Sequence, residues 1–192
     1  MMERLLKLLQ LIPEFLIEWG IASVCNNRSK LAGRIRQKLF QTTCYIDTAV
    51  TISNRNNFTC AEKCALYHGT YILNTYGKID LGNNSHLGSM CYVNVYYGNL
   101  SIGNDVAIGP GTKIIVYSNH YRFGRKVTKE RLTNDIFIGN NVFIGANCVI
   151  LSGANICDNI VIGAGSVVKG TLKSNSIYAG SPCKLIKTGW YE

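Results

Sequence analysis

The sequence predicts an all-β solenoid, in which the chain winds into a coil and three short strands form each turn. The main observation is an aliphatic residue that recurs every six positions over much of the chain. A second is the presence of 19 glycines against three prolines, which suits many repeated tight turns. A period of six fits neither an α-helix nor an alternating strand. It fits a flat strand and its corner, repeated three times per turn.

The repeat is clearest toward the carboxyl end of the chain. Its aliphatic positions are Ile138, Ile144, Ile150, Ile156, Ile162 and Val168. The residues four positions later are mostly small or medium in size, namely Val142, Cys148, Ala154, Ile160 and Ser166. We expect the first set to fill the interior, with Ile138 stacked on Ile156 and Ile144 on Ile162, at the strand-pairing distance of about 4.8 Å. We expect the second set to fill the corners.

The same register returns more weakly nearer the amino terminus. It recurs at Ile102, Ile108 and Ile114, at Leu81, Leu87 and Val93, and most faintly at Ile46, Ile52 and Phe58. We therefore expect the coil to occupy residues 41–175 and a tail to occupy residues 176–192.

An insertion interrupts the repeat between Ile114 and Ile138, which are 24 residues apart. Residues 117–134, YSNHYRFGRKVTKERLTN, cannot continue the period, and they contain His120 and five basic residues. Insertions in solenoids protrude as loops from one face and often carry function. We therefore expect one protruding loop here.

Residues 1–40 precede the coil and have a different pattern. Leu5, Leu9 and Trp19 belong to an apolar face with helical spacing, and the basic stretch NRSKLAGRIRQKLF follows. This pattern predicts a short helical segment, for which two roles stay open. The segment either caps the open end of the coil, where unpaired backbone would be exposed, or lies against an anionic membrane surface.

Composition and charge exclude several classes of protein. A hydrophobic fraction of 47% excludes a disordered chain. The net charge of +9 attracts anions, but the basic residues are not interleaved with aromatic ones, so we expect no nucleic-acid partner. Eight cysteines occur without a recognisable secretory signal or the spacing of a metal site. We therefore expect reduced thiols, no metal and a cytoplasmic location.

Two segments carry a resemblance to a known family: IGNNVFIGANCVILSGANICDNIVIGAGSVVKG and the closing IYAGSPCKLIK. They resemble the hexapeptide-repeat acyltransferases, and the pattern is closest to maltose, galactoside and nodulation-factor acetyltransferases and polysaccharide O-acetyltransferases. The resemblance covers about residues 80–188. It implies a left-handed parallel β-helix that forms a homotrimer, with acetyl-CoA as a co-substrate in the groove between neighbouring coils.

The resemblance also implies a role for His120, which stands where the family has its catalytic histidine. A sugar hydroxyl is a poor nucleophile, and a neutral imidazole can remove its proton as it attacks the thioester carbon. The oxyanion that forms needs a hydrogen-bond donor such as a backbone N–H. His68 and His86 lie outside the motif, and we expect them to be structural or surface residues.

Binding residues for coenzyme A follow from the same resemblance. Small side chains at Ala146 and Ala164 would let the pantetheine arm approach the backbone, and Phe143 stands where many relatives carry tryptophan. Contacts to the phosphates and the adenine are implied for Lys169, Gly170, Lys184 and Lys187, where lysine suits phosphate.

Three residues are candidates for holding the acceptor. Asn94 resembles the asparagine that holds the acceptor in galactoside acetyltransferases, and Tyr96 can stack on a sugar face. Arg122 lies in the basic loop with His120 and favours an anionic acceptor. The leading hypothesis is therefore an acetyl-CoA-dependent O-acetyltransferase that modifies a bacterial surface polysaccharide or its precursor, such as a sialic acid polymer. It would act in the cytoplasm or at the inner membrane.

Other functions are weighed against this hypothesis. A xenobiotic acetyltransferase shares the coil and a loop histidine, and a glycan-binding or scaffold coil would lack the chemistry altogether. A γ-type carbonic anhydrase would need zinc held by three histidines, two of them close in sequence. The chain has three histidines, none within six residues of another, which disfavours that enzyme.

Overall fold

Six turns of a parallel coil make up most of the protein, as shown by a computed structural model that describes residues 29–39 and 42–191. A helix, α1 (Lys30–Leu39), precedes the coil. The strands of the first three turns are β1 (Tyr45–Ile46), β2 (Thr51–Ile52), β3 (Phe58–Cys60), β4 (Ala65–Leu66), β5 (Tyr71–Leu73), β6 (Lys78–Leu81), β7 (His86–Leu87), β8 (Tyr92–Asn94) and β9 (Asn99–Ile102). A short 3-10 helix, Arg55–Asn57, lies between β2 and β3.

The last three turns continue the same winding around one inserted hairpin. Their strands are β10 (Ala107–Ile108), β11 (Lys113–Ile115), the hairpin strands β12 (Tyr117–Asn119) and β13 (Arg131–Thr133), β14 (Ile136–Ile138), β15 (Val142–Ile144), β16 (Val149–Leu151), β17 (Asn155–Ile156), β18 (Ile160–Ile162), β19 (Val167–Val168) and β20 (Thr171–Leu172). Two further strands, β21 (Ser176–Ala179) and β22 (Lys184–Thr188), end the chain.

Every third strand of the coil pairs with the one above it, which produces three sheets. The first sheet runs β1-β4-β7-β10-β15-β18-β21-β22, the second β2-β5-β8-β11-β16-β19, and the third β3-β6-β9-β14-β17-β20. The pairing within the coil is parallel, whereas β22 runs antiparallel to β21 and the hairpin strands β12 and β13 run antiparallel to each other. The predicted fold class, a left-handed parallel β-helix with a short helical segment and one protruding insertion, is confirmed.

The pairing register confirms the stacking that the period predicts. Ile138 lies opposite Ile156, and Ile144 lies opposite Ile162. The aliphatic positions from Ile138 to Val168 form the interior and are at most 3% exposed, and the predicted corner residues from Val142 to Ser166 are at most 1% exposed. Each turn contacts only the turns next to it, and their contact buries the aliphatic column. Burial of this column is therefore the main source of stability.

The earlier turns are longer than those after the insertion. Leu66, Leu87 and Ile108 stack on one another although 21 residues separate each from the next. The extra residues fall within 74–77 and 95–98, at the corner between the second and third sheets. These additions shift the hexapeptide register once per turn, which explains why the pattern is faint in this part of the sequence.

Buried hydroxyl groups connect successive turns at the corners. Thr70 Oγ1 donates a hydrogen bond of 3.1 Å to the carbonyl of Gly88, and Thr112 Oγ1 donates one of 3.1 Å to that of Gly145. Both threonines are fully buried. Such bonds satisfy polar groups that would otherwise destabilise the core.

The helix α1 covers the first turn of the coil. Its Ala32 and Arg36 are buried, and Arg36 Nε donates a hydrogen bond of 2.8 Å to the carbonyl of Ile46 in β1. This packing covers the end of the coil with the described part of the predicted helical segment. The apolar face at Leu5, Leu9 and Trp19 lies outside the described residues. Among the described residues, no helix has the length and apolar character needed to cross a membrane.

Candidate active site

A hairpin arm, residues 117–133, leaves the coil at the corner between the second and third sheets. Its strands pair antiparallel, with Tyr117 opposite Thr133 and Asn119 opposite Arg131. The insertion predicted from the broken repeat therefore has regular structure at its base. It lies between β11 and β14, within the fourth turn.

Hydrogen bonds fasten the base of the arm to the turns on both sides. Asp135 Oδ1 accepts a bond of 2.8 Å from the N–H of Asn99 in the turn below. The N–H of Asn134 donates a bond of 2.9 Å to Ser152 Oγ in the turn above. The arm therefore projects from a fixed point.

His120 directly follows β12, where the two strands of the arm end. Its backbone N–H donates a bond of 3.1 Å to the carbonyl of Glu130, and its side chain is exposed. The ring of Tyr121 is the neighbouring aromatic group, with 5.3 Å between ring centroids. The backbone of His120 is thus fixed by the arm, and its imidazole is exposed to solvent, where a substrate can reach it.

Four tyrosines form a cluster at the base of the arm. We call them the tyrosine cluster: Tyr76, Tyr96, Tyr97 and Tyr117. The rings of Tyr76 and Tyr97 are stacked with centroids 5.1 Å apart, and Tyr96 meets Tyr97 edge-on at 4.9 Å. Tyr117 contacts both Tyr96 and Tyr97. Desolvation and the neighbouring Tyr76 and Tyr97 raise the pKa of Tyr96.

The structure brings two of the predicted acceptor residues together at this cluster. Asn94 Nδ2 donates a bond of 3.0 Å to the carbonyl of Tyr117, and Asn94 Oδ1 accepts one of 3.2 Å from the N–H of Tyr96. Asn94 therefore joins the third turn to the base of the arm. Arg122 lies farther out, exposed in a turn closed by Arg125 N–H to its carbonyl at 3.0 Å.

The arm carries a strong positive charge. Its basic residues are Arg122, Arg125, Lys126, Lys129 and Arg131, and Glu130 is the acidic residue among 117–133. Arg131 Nε donates a bond of 2.8 Å to the hydroxyl of Tyr117, which places one of these charges at the tyrosine cluster. An anionic group near His120 would therefore meet favourable charges.

The residues assigned to the pantetheine arm lie at another corner, between the first and second sheets. Phe143 points outward from β15 and is 50% exposed. Ala146 and Ala164 follow in successive turns, and the carbonyl of Ala146 accepts a bond of 2.8 Å from the N–H of Gly165. A Cβ added to Gly145 would lie 2.5 Å from the nitrogen of Ala164, so glycine lets these two turns approach closely.

The other residues assigned to coenzyme A lie in two places. Lys169 and Gly170 follow β19, at the corner between the second and third sheets. Lys184 and Lys187 belong to β22, which is exposed along its whole length at the end of the first sheet. Lys169 is exposed as well.

Within one chain, the second sheet separates the arm and His120 from Ala146 and Ala164. The predicted catalytic residue and the predicted pantetheine-binding residues are therefore not adjacent in a single copy. A groove of about 530 Å³ lies elsewhere, on the side of the third sheet, and Ser101, Phe137 and Asp158 are among its lining residues. None of the predicted site residues lines it.

Sequence reasoning missed Tyr76, Tyr117 and Arg131 as neighbours of the acceptor residues. A signal for Tyr76 was present, because Asn74-Thr75-Tyr76-Gly77 and Asn94-Val95-Tyr96-Tyr97-Gly98 repeat one motif. The motif occupies the widened corner of consecutive turns, which a strict period of six does not align. Among the described residues, no group of three or more His, Cys, Asp or Glu side chains could hold a metal ion.

Comparisons of sequence support the hexapeptide repeat. Residues 135–170 match the family model described as bacterial transferase hexapeptide (six repeats). A galactoside O-acetyltransferase from Escherichia coli K12 is 52% identical over 52 residues, which cover 27% of this chain and 26% of that protein. A putative lipopolysaccharide biosynthesis O-acetyl transferase from the same organism is 42% identical over an equal share of both chains. The matched segment thus spans about a quarter of the length of these relatives.

Solved structures resemble the coil over a longer range. A variant of an N-acyltransferase from Bacillus cereus, in complex with dTDP and coenzyme A, has a TM-score of 0.71 at 19% identity and covers 85% of this chain and 90% of that one. A maltose O-acetyltransferase from Clostridium difficile 630 has a TM-score of 0.58 at 22% identity, covering 92% and 89%. At these identities the likeness establishes the fold.

Proposed function

We propose that this hexapeptide-repeat coil is an acetyl-CoA-dependent O-acetyltransferase that modifies a saccharide. The observation that carries the proposal is the position of His120, which is exposed in the basic arm, three residues after Tyr117 of the tyrosine cluster. An imidazole, cationic side chains and aromatic rings together suit deprotonation, anion binding and sugar stacking.

The proposed reaction is direct transfer. His120 accepts the proton of an acceptor hydroxyl while that oxygen attacks the carbonyl carbon of the thioester. The carbon–sulfur bond then breaks, the protonated His120 returns its proton to the sulfur, and coenzyme A leaves as a thiol. A backbone N–H stabilises the oxyanion between these steps.

Coenzyme A would bind along the glycine-rich corner that carries Ala146 and Ala164. Their small side chains leave the backbone open to the amides of the pantetheine arm, and Phe143 provides an apolar wall. Positive charge for the phosphates would come from Lys169, Lys184 and Lys187. Accessible backbone would come from Gly170.

A homotrimer would complete the site, because His120 and Ala146 lie at different corners of one chain. Between β4 and β21, the outward face of the first sheet carries residues without formal charge, in the order Ala65, His86, Ala107, Phe143, Val161 and Ile177. Such a face suits contact with a second copy better than contact with water. A neighbour that packs there would bring its own arm toward this chain's pantetheine corner.

The acceptor is proposed to be an anionic saccharide, such as a sialic acid polymer or its precursor. Asn94 and Tyr96 would orient the sugar near His120, and Arg122 would attract its acidic group.

The reaction would take place in the cytoplasm, where acetyl-CoA is available. Contact with the inner membrane would bring the enzyme to membrane-bound glycan precursors.

The test is release of free thiol from acetyl-CoA in the presence of neutral, acidic and amino sugars. We expect acceptor-dependent release with an acidic glycan, and a loss of about 10²- to 10⁴-fold in the His120→Ala variant. His68→Ala is the matched control, since His68 lies in the coil, bonded at 2.6 Å to Thr48 Oγ1.

Other outcomes would change the assignment. Equal rates in wild type and His120→Ala, in protein that binds coenzyme A, would remove His120 from the mechanism. Release only with amino sugars would indicate transfer to nitrogen. Release only with small drug-like hydroxyl compounds would indicate a xenobiotic acetyltransferase, and absence of coenzyme A binding would indicate a glycan-binding or scaffold coil.

A further inference from the structure

The first turn of the coil differs from the turns above it at one interior position. Cys60 lies opposite Leu81, which in turn lies opposite Ile102. This column of stacked side chains is therefore aliphatic in the second and third turns and ends in a thiol in the first turn. Cys60 is only partly buried there, whereas the residues above it are buried.

Hydrogen-bond donors surround the Cys60 sulfur. Thr42 Oγ1 lies 2.7 Å from Sγ of Cys60, and Thr43 Oγ1 lies 3.9 Å from it. The Cys44 thiol is the third neighbouring donor: it has the largest influence on the pKa of Cys60, and its Sγ also lies 3.7 Å from the carbonyl oxygen of Tyr45. All three donors come from the segment that links α1 to β1, so the chain folds this segment around one sulfur atom.

These contacts favour a thiolate at Cys60. The hydrogen bond from Cys44, opposed by desolvation and reinforced by Thr42 and Thr43, lowers the pKa of Cys60 to about 5. The hydrogen bond to Cys60 and burial raise the pKa of Cys44, so Cys44 stays protonated and donates. Cys60 is the partner that ionises because Cys44 is 0% exposed and a buried charge is costly.

We propose that Cys60 is a site of thiol oxidation and that Cys44 is its resolving partner. A partly exposed thiolate beside a second thiol is the arrangement that peroxides oxidise selectively. The site is at the capped end of the coil and does not depend on the proposed transferase activity.

The chemistry requires hydrogen peroxide as the oxidant. The Cys60 thiolate attacks one peroxide oxygen, the O–O bond breaks, and the departing hydroxide takes up a proton to form water. The Cys60 sulfenic acid is then attacked by the Cys44 sulfur. The S–O bond breaks and the second water carries away the Cys44 proton. Two thiols are oxidised to one disulfide, and one peroxide is reduced to two waters.

The disulfide would have a structural consequence at the cap. It would join the residue before β1 to the end of β3 and so close the first turn on itself. Gln37 Nε2 of α1 already donates a bond of 3.1 Å to the carbonyl of Cys44. Oxidation would therefore hold the junction between the cap helix and the coil.

The test is peptide mapping after native protein is treated with hydrogen peroxide at limiting concentration. We expect a Cys44–Cys60 disulfide in wild type. In Cys44→Ser we expect a sulfenic acid at Cys60 that dimedone traps, and in Cys60→Ser neither product. Cys157→Ser is the matched control, because Cys157 is also partly exposed but lies in the fifth turn; it should behave as wild type.

Alkylation of wild-type protein at pH 6 tests the same site without any substitution. An ordinary thiol is about 0.3% ionised at this pH, and Cys60 would be about 90% ionised. The lower nucleophilicity of an acidic thiolate offsets most of this difference, so we expect Cys60 to react about tenfold faster than Cys157. Reaction of Cys60 no faster than Cys157, or peroxide oxidation elsewhere first, would overturn the proposal.

Discussion

His120 owes its position to its backbone rather than to its side chain. The N–H bond to Glu130 belongs to the arm, and the imidazole is exposed. Removing the imidazole should therefore leave the arm folded, which makes His120→Ala a test of chemistry.

The tyrosine cluster carries a prediction about the acceptor. In the Tyr97→Ala variant we expect the KM for an oligosaccharide acceptor to rise about two- to tenfold, with the KM for acetyl-CoA unchanged, because one stacking ring is lost. The measurement is initial rate against acceptor concentration. Tyr71→Ala is the control, since Tyr71 stacks on Tyr92 at 5.9 Å on the second sheet. Equal effects of both substitutions would contradict acceptor stacking at the cluster.

At this scale the sequence predicted individual candidates better than their grouping. His120 and Asn94 were identifiable because each stands in a motif with family spacing. The repeated motif relates Tyr76 to Tyr96, but the contact of Tyr76 and Tyr117 with Tyr96 could not be predicted, because it depends on the width of a corner and on the antiparallel pairing of the arm. Neither property is encoded in a period of six.

The arm is an element whose direction depends on the coil beneath it. Asp135 holds the base through Asn99, at 2.8 Å to its N–H and 3.0 Å to its side-chain amide. In Asp135→Ala we expect proteolysis within the arm to accelerate and kcat/KM to fall about tenfold, because about 1.4 kcal/mol of positioning is lost. Asp80→Ala, another substitution on the third sheet, is the control. Unchanged proteolysis and activity would contradict a positioning role for Asp135.

The glycine corner gives a prediction about stability. A Cβ at Gly145 would lie 2.5 Å from the backbone nitrogen of Ala164, so Gly145→Ala should lower the free energy of unfolding by about 1–3 kcal/mol. Denaturant unfolding measures this change. Gly33→Ala is the control, since its Cβ would meet only Arg36 at 3.9 Å within a helix, where alanine is favoured over glycine. Equal stability of both variants would contradict the close approach of the turns.

The elements after the insertion were predictable from the repeat, down to which residues stack. The regular hairpin within residues 117–134 could not be predicted, because its two strands are three residues each and too short to show a periodic pattern. Strand β21 in the expected tail was also not predicted. The spacing from Ile162 to its partner Tyr178 is 16 residues, which is shorter than a turn of the repeat, so β21 falls out of register with the hexapeptide period.

For the whole molecule, the separation of His120 from Ala146 leads to a prediction about mixed assemblies. If each site uses His120 of one copy and Ala146 of a neighbour, His120→Ala and Ala146→Phe are each inactive alone. Mixed subunits in equal amounts should regain about a quarter of wild-type activity, because random pairing makes one site in four intact. The measurement is transferase rate after co-expression with two tags, and each variant is first checked for folding by circular dichroism. No recovery in verified mixed assemblies would contradict a shared site.

The coil itself could be predicted from the sequence because a six-residue period has few structural solutions. Its left hand came from the family resemblance, since spacing alone does not distinguish the two hands. The proposed assembly of several copies rests on the residues without formal charge between β4 and β21 of the first sheet, and on the separation of His120 from Ala146. Neither feature is visible before the strands are placed in register.

The central claim is that acetyl moves from acetyl-CoA to a sugar hydroxyl with His120 as the base. The most direct measurement follows carbon-13 acetyl from labelled acetyl-CoA into an acidic oligosaccharide by NMR, with wild type and with His120→Ala that still binds coenzyme A. We expect an ester carbonyl signal on the glycan with wild type and its loss, by at least about a hundredfold in rate, in the variant. An amide signal, or an ester signal that forms equally fast in both proteins, would contradict the claim.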